Sequence, residues 1–179
     1  GTGLPPETVG GRRWHGGRFE AVLRVNWCVP GGHTVRVYEG RGGYRTARQA
    51  LTRRDPDQVI QVVKDSELRG RGGAGFPCGM KWGFLPKDRK ETFMCVNGDE
   101  SEPATFNNRI LIERDPHQFI EGILIACFAT KAKTAYVYLR FEYINAYKIR
   151  EAATAESRAA GHPRQTVPAA GLTPATHAP

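Results

Sequence analysis

The stretch Gly70-Arg71-Gly72-Gly73-Ala74-Gly75-Phe76-Pro77 limits what this chain can fold into more than any other feature. Glycine lets the backbone enter φ > 0 and lets a ligand approach with no Cβ in the way. Consecutive amides in such a loop can form a concave anion site for a phosphate or pyrophosphate. Arg71 and Lys81 would add charge-assisted contacts. Gly70, Gly72 and Gly75 also satisfy G-x-G-x-x-G, but the ordinary dinucleotide fingerprint needs a strand before it and a helix opening at its end. Here a helix is expected before the loop, and Pro77 and Gly79 follow at once. The ordinary Rossmann reading is therefore set aside; the plain alternative is a flexible turn. Phe76, Trp82 and Phe84 supply flat apolar faces behind the loop, although core packing is the simpler reading of Trp82.

Around this loop the pattern alternates helix and strand. Tyr44 to Leu51 reads as a short helix, and Asp55 as the N-cap of a second, with Pro56 at its first position. Thr92 to Val96 reads as a buried strand and Asn107 to Arg114 as a short helix. Asp115-Pro116 repeats the helix-start chemistry before Pro116 to Thr130, where Phe119, Ile120, Ile123, Leu124 and Cys127 recur at helical spacing. Ala135 to Leu139 is a second strand candidate. Strand, helices and strand in that order predict a right-handed β–α–β unit with parallel strands.

The expectation is an α/β fold, an atypical Rossmann-like domain over 44–150 that is incomplete. It is flanked by an irregular Gly/Arg-rich segment, 1–43, with a possible strand in Arg18–Val29, and by a tail, 151–179, of Ala, Thr, Pro and Gly that reads as disordered. Gly1 stands where an initiator Met would, which suggests a processed or excised piece.

A net charge of +8 favours anionic partners without choosing among phosphates, nucleic acid, acidic lipid and an acidic subunit. The most apolar run, Phe119 to Ala129, is interrupted by Glu121 and falls short of the roughly 20 residues a membrane span requires. Arg12, Arg13 and Arg18 precede no apolar core of a secretory signal. A cytoplasmic address, or the cytoplasmic face of a membrane complex, is expected. Cys28, Cys78, Cys95 and Cys127 form no C-x-x-C pair and fit no usual zinc or cluster spacing, so they read as free thiols, with a disulfide as the alternative.

The second constellation is Asn97-Gly98-Asp99-Glu100-Ser101-Glu102-Pro103, a carboxylate-rich turn at the end of a strand, where α/β proteins place ligands. Its carboxylates and amide can accept from ligand hydroxyls; a solvated acidic turn is the plain alternative.

The run Leu68 to Phe84, LRGRGGAGFPCGMKWGF, resembles the signature loop of the NADH-binding flavoprotein subunit of complex I. So does VNGDESEPAT, Val96 to Thr105, followed by Arg109 and Asp115-Pro116-His117, and the segment Ile120 to Tyr143 resembles the next part of the same domain. The resemblance implies binding of FMN and NAD and hydride transfer from NADH to the flavin, which performs the redox chemistry while the protein orients it. It implies that Gly70, Arg71, Gly72, Gly73, Ala74, Gly75 and Lys81 line the phosphates, and that Asn97, Asp99, Glu100 and Ser101 hold the flavin side. Phe76 and Phe84 would stack on the dinucleotide and Glu102 would reach its nicotinamide end. Implied partners are other peripheral-arm subunits, including a 2Fe-2S subunit.

The chain departs from the family pattern at Cys78 for Thr, Gly98 for Ala, Ala104 for Gly, and Asn107-Asn108 for a more charged pair. A later flavin contact and the 4Fe-4S cluster ligands are absent, so about half an FMN site is expected, and an inactive isolated chain. Rival readings are the diaphorase subunit of an NAD-linked hydrogenase or formate dehydrogenase, and an RGG-type nucleic-acid binder through Arg41-Gly42-Gly43 and Arg71-Gly72-Gly73.

Overall fold

In the computed structural model, the described residues are Leu23, Asn26, Trp27, 29–86 and 88–162. Helices α1 (Val35–Gly40), α2 (Arg45–Arg53), α3 (Pro56–Asp65) and α4 (Cys78–Gly83) precede β1 (Phe93–Gly98). Then follow α5 (Asn107–Arg114), α6 (Pro116–Thr130), β2 (Thr134–Leu139) and α7 (Ile144–Ala159).

Helix α6 is the hub. Asp115 caps it by accepting from the Gln118 amide at 3.2 Å, and Pro116 takes its first turn, where a missing N–H does no harm. Apolar residues on several of its sides are buried. Ile123 and Cys127 face the sheet together with Ile112, Val137 and Leu139. Ile120 and Leu124 meet Tyr38, Tyr44 and Ala153, and Ala129 meets Ala50 and Val59. Each large aliphatic side chain buried this way stabilises by roughly 1.5–3 kcal/mol. Asp55 starts α3 in the same manner, with a capping box closed by Gln58.

The sheet has two strands, β1 and β2, paired in parallel from Phe93↔Thr134 to Gly98↔Leu139. Parallel pairing with α5 and α6 between the strands agrees with the expected β–α–β unit. Only one face carries core residues: Ala135, Val137 and Leu139 point inward, while Phe93, Tyr136 and Tyr138 on the other face are 52%, 43% and 58% exposed.

Two expectations need correction. The segment 1–43, expected to be irregular, contains α1; Gly43 makes room for the Tyr38 ring, whose Cδ1 lies 2.1 Å from where a Cβ would stand. The tail expected to be disordered from 151 is helical to Ala159, because alanine is a strong helix former and small enough to let α7 approach α6 closely; Ala146 and Ala153 are buried there. The possible strand in Arg18–Val29 falls largely outside the described residues, as do 1–22 and 163–179.

Candidate functional site

Helices α3 and α4 set the base of the glycine loop. They pack so closely that a Cβ on Gly79 would lie 2.5 Å from the Lys64 amide nitrogen. Between them the chain turns at Glu67, which takes a left-handed φ of 54°, and closes an antiparallel bridge between Arg69 and Pro77. The Cys78 amide donates to Leu68 O at 2.7 Å, the Gly70 amide to Phe76 O at 3.0 Å, and the Arg69 guanidinium to Gly75 O at 3.2 Å. Contrary to expectation, a helix does open just after the loop: Pro77 serves as its N-cap and Gly79 fits it against α3. The element before the loop is helix α3, so the arrangement still differs from the strand–loop–helix fingerprint.

Above this base the glycines face open space. A Cβ on Gly72, Gly73 or Gly75 would meet no protein atom within 4 Å, and only Gly75, at φ +72°, needs glycine for its backbone. Packing therefore does not explain Gly72 and Gly73.

The acidic turn is built differently. The Asp99 amide donates to Asn97 Oδ1 at 2.8 Å, and Ser101 Oγ to Asp99 Oδ1 at 3.0 Å. Glu100 points inward, 3% exposed, and its carboxylate accepts from the Asn108 and Arg109 amides at 2.9 and 3.2 Å. It thus caps α5, whose own N-cap, Phe106, offers no side-chain acceptor. Tyr143 donates to the same carboxylate at 3.2 Å, and Arg140 Nη1 to the Glu100 carbonyl at 3.1 Å. Burial, reinforced by Glu100, pushes the Tyr143 hydroxyl up, so it stays a donor. Ala104, in the same turn, is held at φ 64°, where a Cβ is strained.

The two segments face one cleft of about 1010 Å³. Arg71 and Gly72 of the loop line it together with Asn97, Asp99, Glu100 and Glu102 of the turn, and Leu23, Trp27, Phe106, Ile110 and Leu111 add apolar lining. Of the other expected site residues, Gly70, Gly73, Ala74 and Gly75 belong to the loop but do not line this cleft. Ser101 is held by Asp99, and Lys81 lies exposed on α4. Phe76 and Phe84 are 48% and 68% exposed, with ring centroids 6.0 Å apart. Thr105, Phe106, Asn107 and Asn108 line the cleft although the sequence reading did not place them there. The signal that could have found them is Glu100, a carboxylate seven residues ahead of a helix whose N-cap, Phe106, offers no side-chain acceptor. Trp27 carried no such signal.

Among the described residues, no group of His, Cys, Asp and Glu is arranged to hold a metal ion. Cys78, Cys95 and Cys127 are free thiols, and burial pushes Cys127 up to about 11.

The profile of the Nuo51 FMN-binding domain family matches residues 63–175. An NADH-quinone oxidoreductase subunit of Rhizobium meliloti (strain 1021) is 52% identical over 145 residues, 80% of this chain and 34% of its own length. The corresponding NADH-quinone oxidoreductase subunit of Escherichia coli (strain K12) is 46% identical over 126 residues, 69% of this chain and 28% of its own. The chain thus spans about a third or less of these curated relatives. Among solved structures, the NAD+-reducing [NiFe]-hydrogenase in the air-oxidized state is similar with a TM-score of 0.60 and 36% identity, covering 79% of this chain and 23% of that one.

Proposed function

The chain belongs to the Nuo51 FMN-binding domain family, and from that premise we propose that it supplies part of the FMN and NADH site of an NADH:quinone oxidoreductase flavoprotein subunit. The observation that carries this reading is the shared cleft, which Arg71 and Gly72 line together with Asn97, Asp99 and Glu102. The residues fit the cofactor on three counts. The cleft's volume, about 1010 Å³, lies at the upper end of small-molecule sites, roughly 300–1,000 Å³. Gly72 and Gly73 leave open the space that a Cβ would fill, and the guanidinium of Arg71 suits a phosphate.

In this reading the loop from Gly70 to Gly75, with Lys81, holds phosphate groups, and Asn97, Asp99 and Ser101 accept from hydroxyls on the flavin side. Glu100 lines the same cleft while holding the turn in shape, since its carboxylate is engaged by α5 and Tyr143. Phe76 and Phe84 offer aromatic faces to the dinucleotide, and Glu102 lies toward its nicotinamide end. Bound FMN would supply the hydride-accepting chemistry toward NADH; the residues of this chain would bind and orient it and exclude water, and no side chain need act as acid or base. The partners that follow are further peripheral-arm subunits, a 2Fe-2S subunit among them, with a seat on the cytoplasmic side. Among the described residues no helix is long and apolar enough to cross a membrane. The likeness to the hydrogenase supports a second reading, the diaphorase module of such an enzyme.

The test is an amide-resolved NMR titration with FMN. Shifts of Gly70–Gly75 and Asn97–Glu102 should move together, and Arg71→Gln should weaken the binding. Shifts confined to other elements would overturn the site.

A further inference from the structure

We propose that the arginine face of α2 is a docking surface for an extended acidic segment of another polypeptide. The stretch Arg45 to Arg54 contains Arg45, Arg48, Arg53 and Arg54 and no carboxylate, and all four side chains are exposed. Two clefts flank the helix. One, of about 630 Å³, holds Arg45, Arg48 and Arg53; the other, of about 540 Å³, holds Arg53, Arg54, Gln58 and Gln61. Gln49 and Arg53 line both, so they run together across α2 as one trough. Glu39 in one cleft and Asp65 in the other leave the arginines in excess, and the Arg48–Glu39 contact is a loose 3.6 Å pair between exposed groups.

The face is also held firm from behind. Ala47 and Ala50 are buried beneath it, and the Tyr44 and Ala47 amides both donate to Glu121 at 2.9 Å. Planar guanidinium forks and the Gln49 amide on this fixed helix match the carboxylates of an extended chain. The lining contains no aromatic side chain on which bases could stack, which disfavours single-stranded nucleic acid. Its one large apolar side chain, Val62 at 46% exposure, gives no apolar face for insertion into a lipid surface. No residue of the trough lines the cleft at the glycine loop, so an acidic partner and a cofactor can be held together.

The test uses the whole chain and a fluorescein-labelled decaglutamate peptide at low ionic strength, with folding of every variant checked by circular dichroism. Arg45→Gln/Arg53→Gln/Arg54→Gln should weaken binding about tenfold or more, and Arg53→Gln alone about threefold. The control Lys90→Gln/Lys131→Gln/Lys133→Gln, which removes equal charge elsewhere, should change it less than about twofold. Equal losses in the two triple variants, or no peptide binding, would overturn the proposal. Tighter binding of decathymidylate, or equal capture by phosphatidylserine vesicles, would assign the face to another partner and overturn it as well.

Discussion

The Glu121 carboxylate, in the middle of α6, accepts the phenolic hydrogen of Tyr38 at 2.5 Å. The same carboxylate accepts from the Tyr44 and Ala47 amides, so one acidic side chain ties α1 and α2 to the hub. Burial, followed by Glu121 itself, pushes the Tyr38 hydroxyl far up, so it remains a donor at any workable pH. Glu121→Ala strands three donors and should cost about 3 kcal/mol. Urea denaturation would measure it; a loss under about 1 kcal/mol would mean that water replaces the carboxylate without penalty.

Glu100→Ala should free the N-terminus of α5. A lost cap costs about 1–2 kcal/mol, and the Asn108 and Arg109 amides, its partners at 2.9 and 3.2 Å, should exchange with solvent markedly faster. Unchanged hydrogen exchange at these two amides would contradict the capping role.

Ala104→Gly should stabilise the protein. At φ 64° the alanine is strained by about 1–2 kcal/mol, part of which glycine returns through the entropy of the unfolded chain, leaving a net gain of about 0.5–1 kcal/mol. A thermal midpoint unchanged or lowered in the variant would refute it.

Two glycine substitutions should behave oppositely. Gly79→Ala presses a Cβ against Lys64 and should destabilise by about 2 kcal/mol. Gly72→Ala meets open space, so stability should shift by less than about 0.5 kcal/mol while the FMN-dependent amide shifts shrink. A Gly72 variant that binds FMN as the parent does would remove the glycine loop from the site.

Acid should weaken the fold as pH falls below 6.5. His117 is fully buried, its Nδ1 is 2.9 Å from the Tyr44 hydroxyl, and burial lowers its pKa below the ordinary 6.5; burial lowers His162 too. Below 6.5 the unfolded chain binds more protons than the folded one, so stability falls as pH falls. Asp115 acts in the opposite sense: burial raises its pKa, so its contribution is lost as pH rises, in a range that starts from the ordinary 3.8. A urea midpoint that is flat or rising on acidification would exclude the histidine effect, and His117→Gln should flatten the slope.

Much of the fold is local chemistry that a sequence displays openly. Asp55-Pro56 and Asp115-Pro116 each start the expected helix because cap and proline act within one turn. The strands were visible because β1 and β2 carry β-branched and aromatic residues between turn signals. What escaped depends on tertiary contact. Glu100, expected at a ligand, is held by α5 and by Tyr143 far along the chain. Val35–Gly40 looked too rich in neighbouring glycine, and 152–159 too poor in large apolar residues, yet each is helical because it fits against α6.

The order of the strands also sets a timetable. Phe93 cannot meet Thr134 until α5 and α6, which lie between them, have folded back. Loop closure over that distance is slow compared with helix growth. A refolding chain should therefore acquire protected amides in α6 early and in β1 last, so pulse-labelled exchange would find the strand that leads into the acidic turn still open after its hub has formed. Simultaneous protection of both would mean that they fold as one unit.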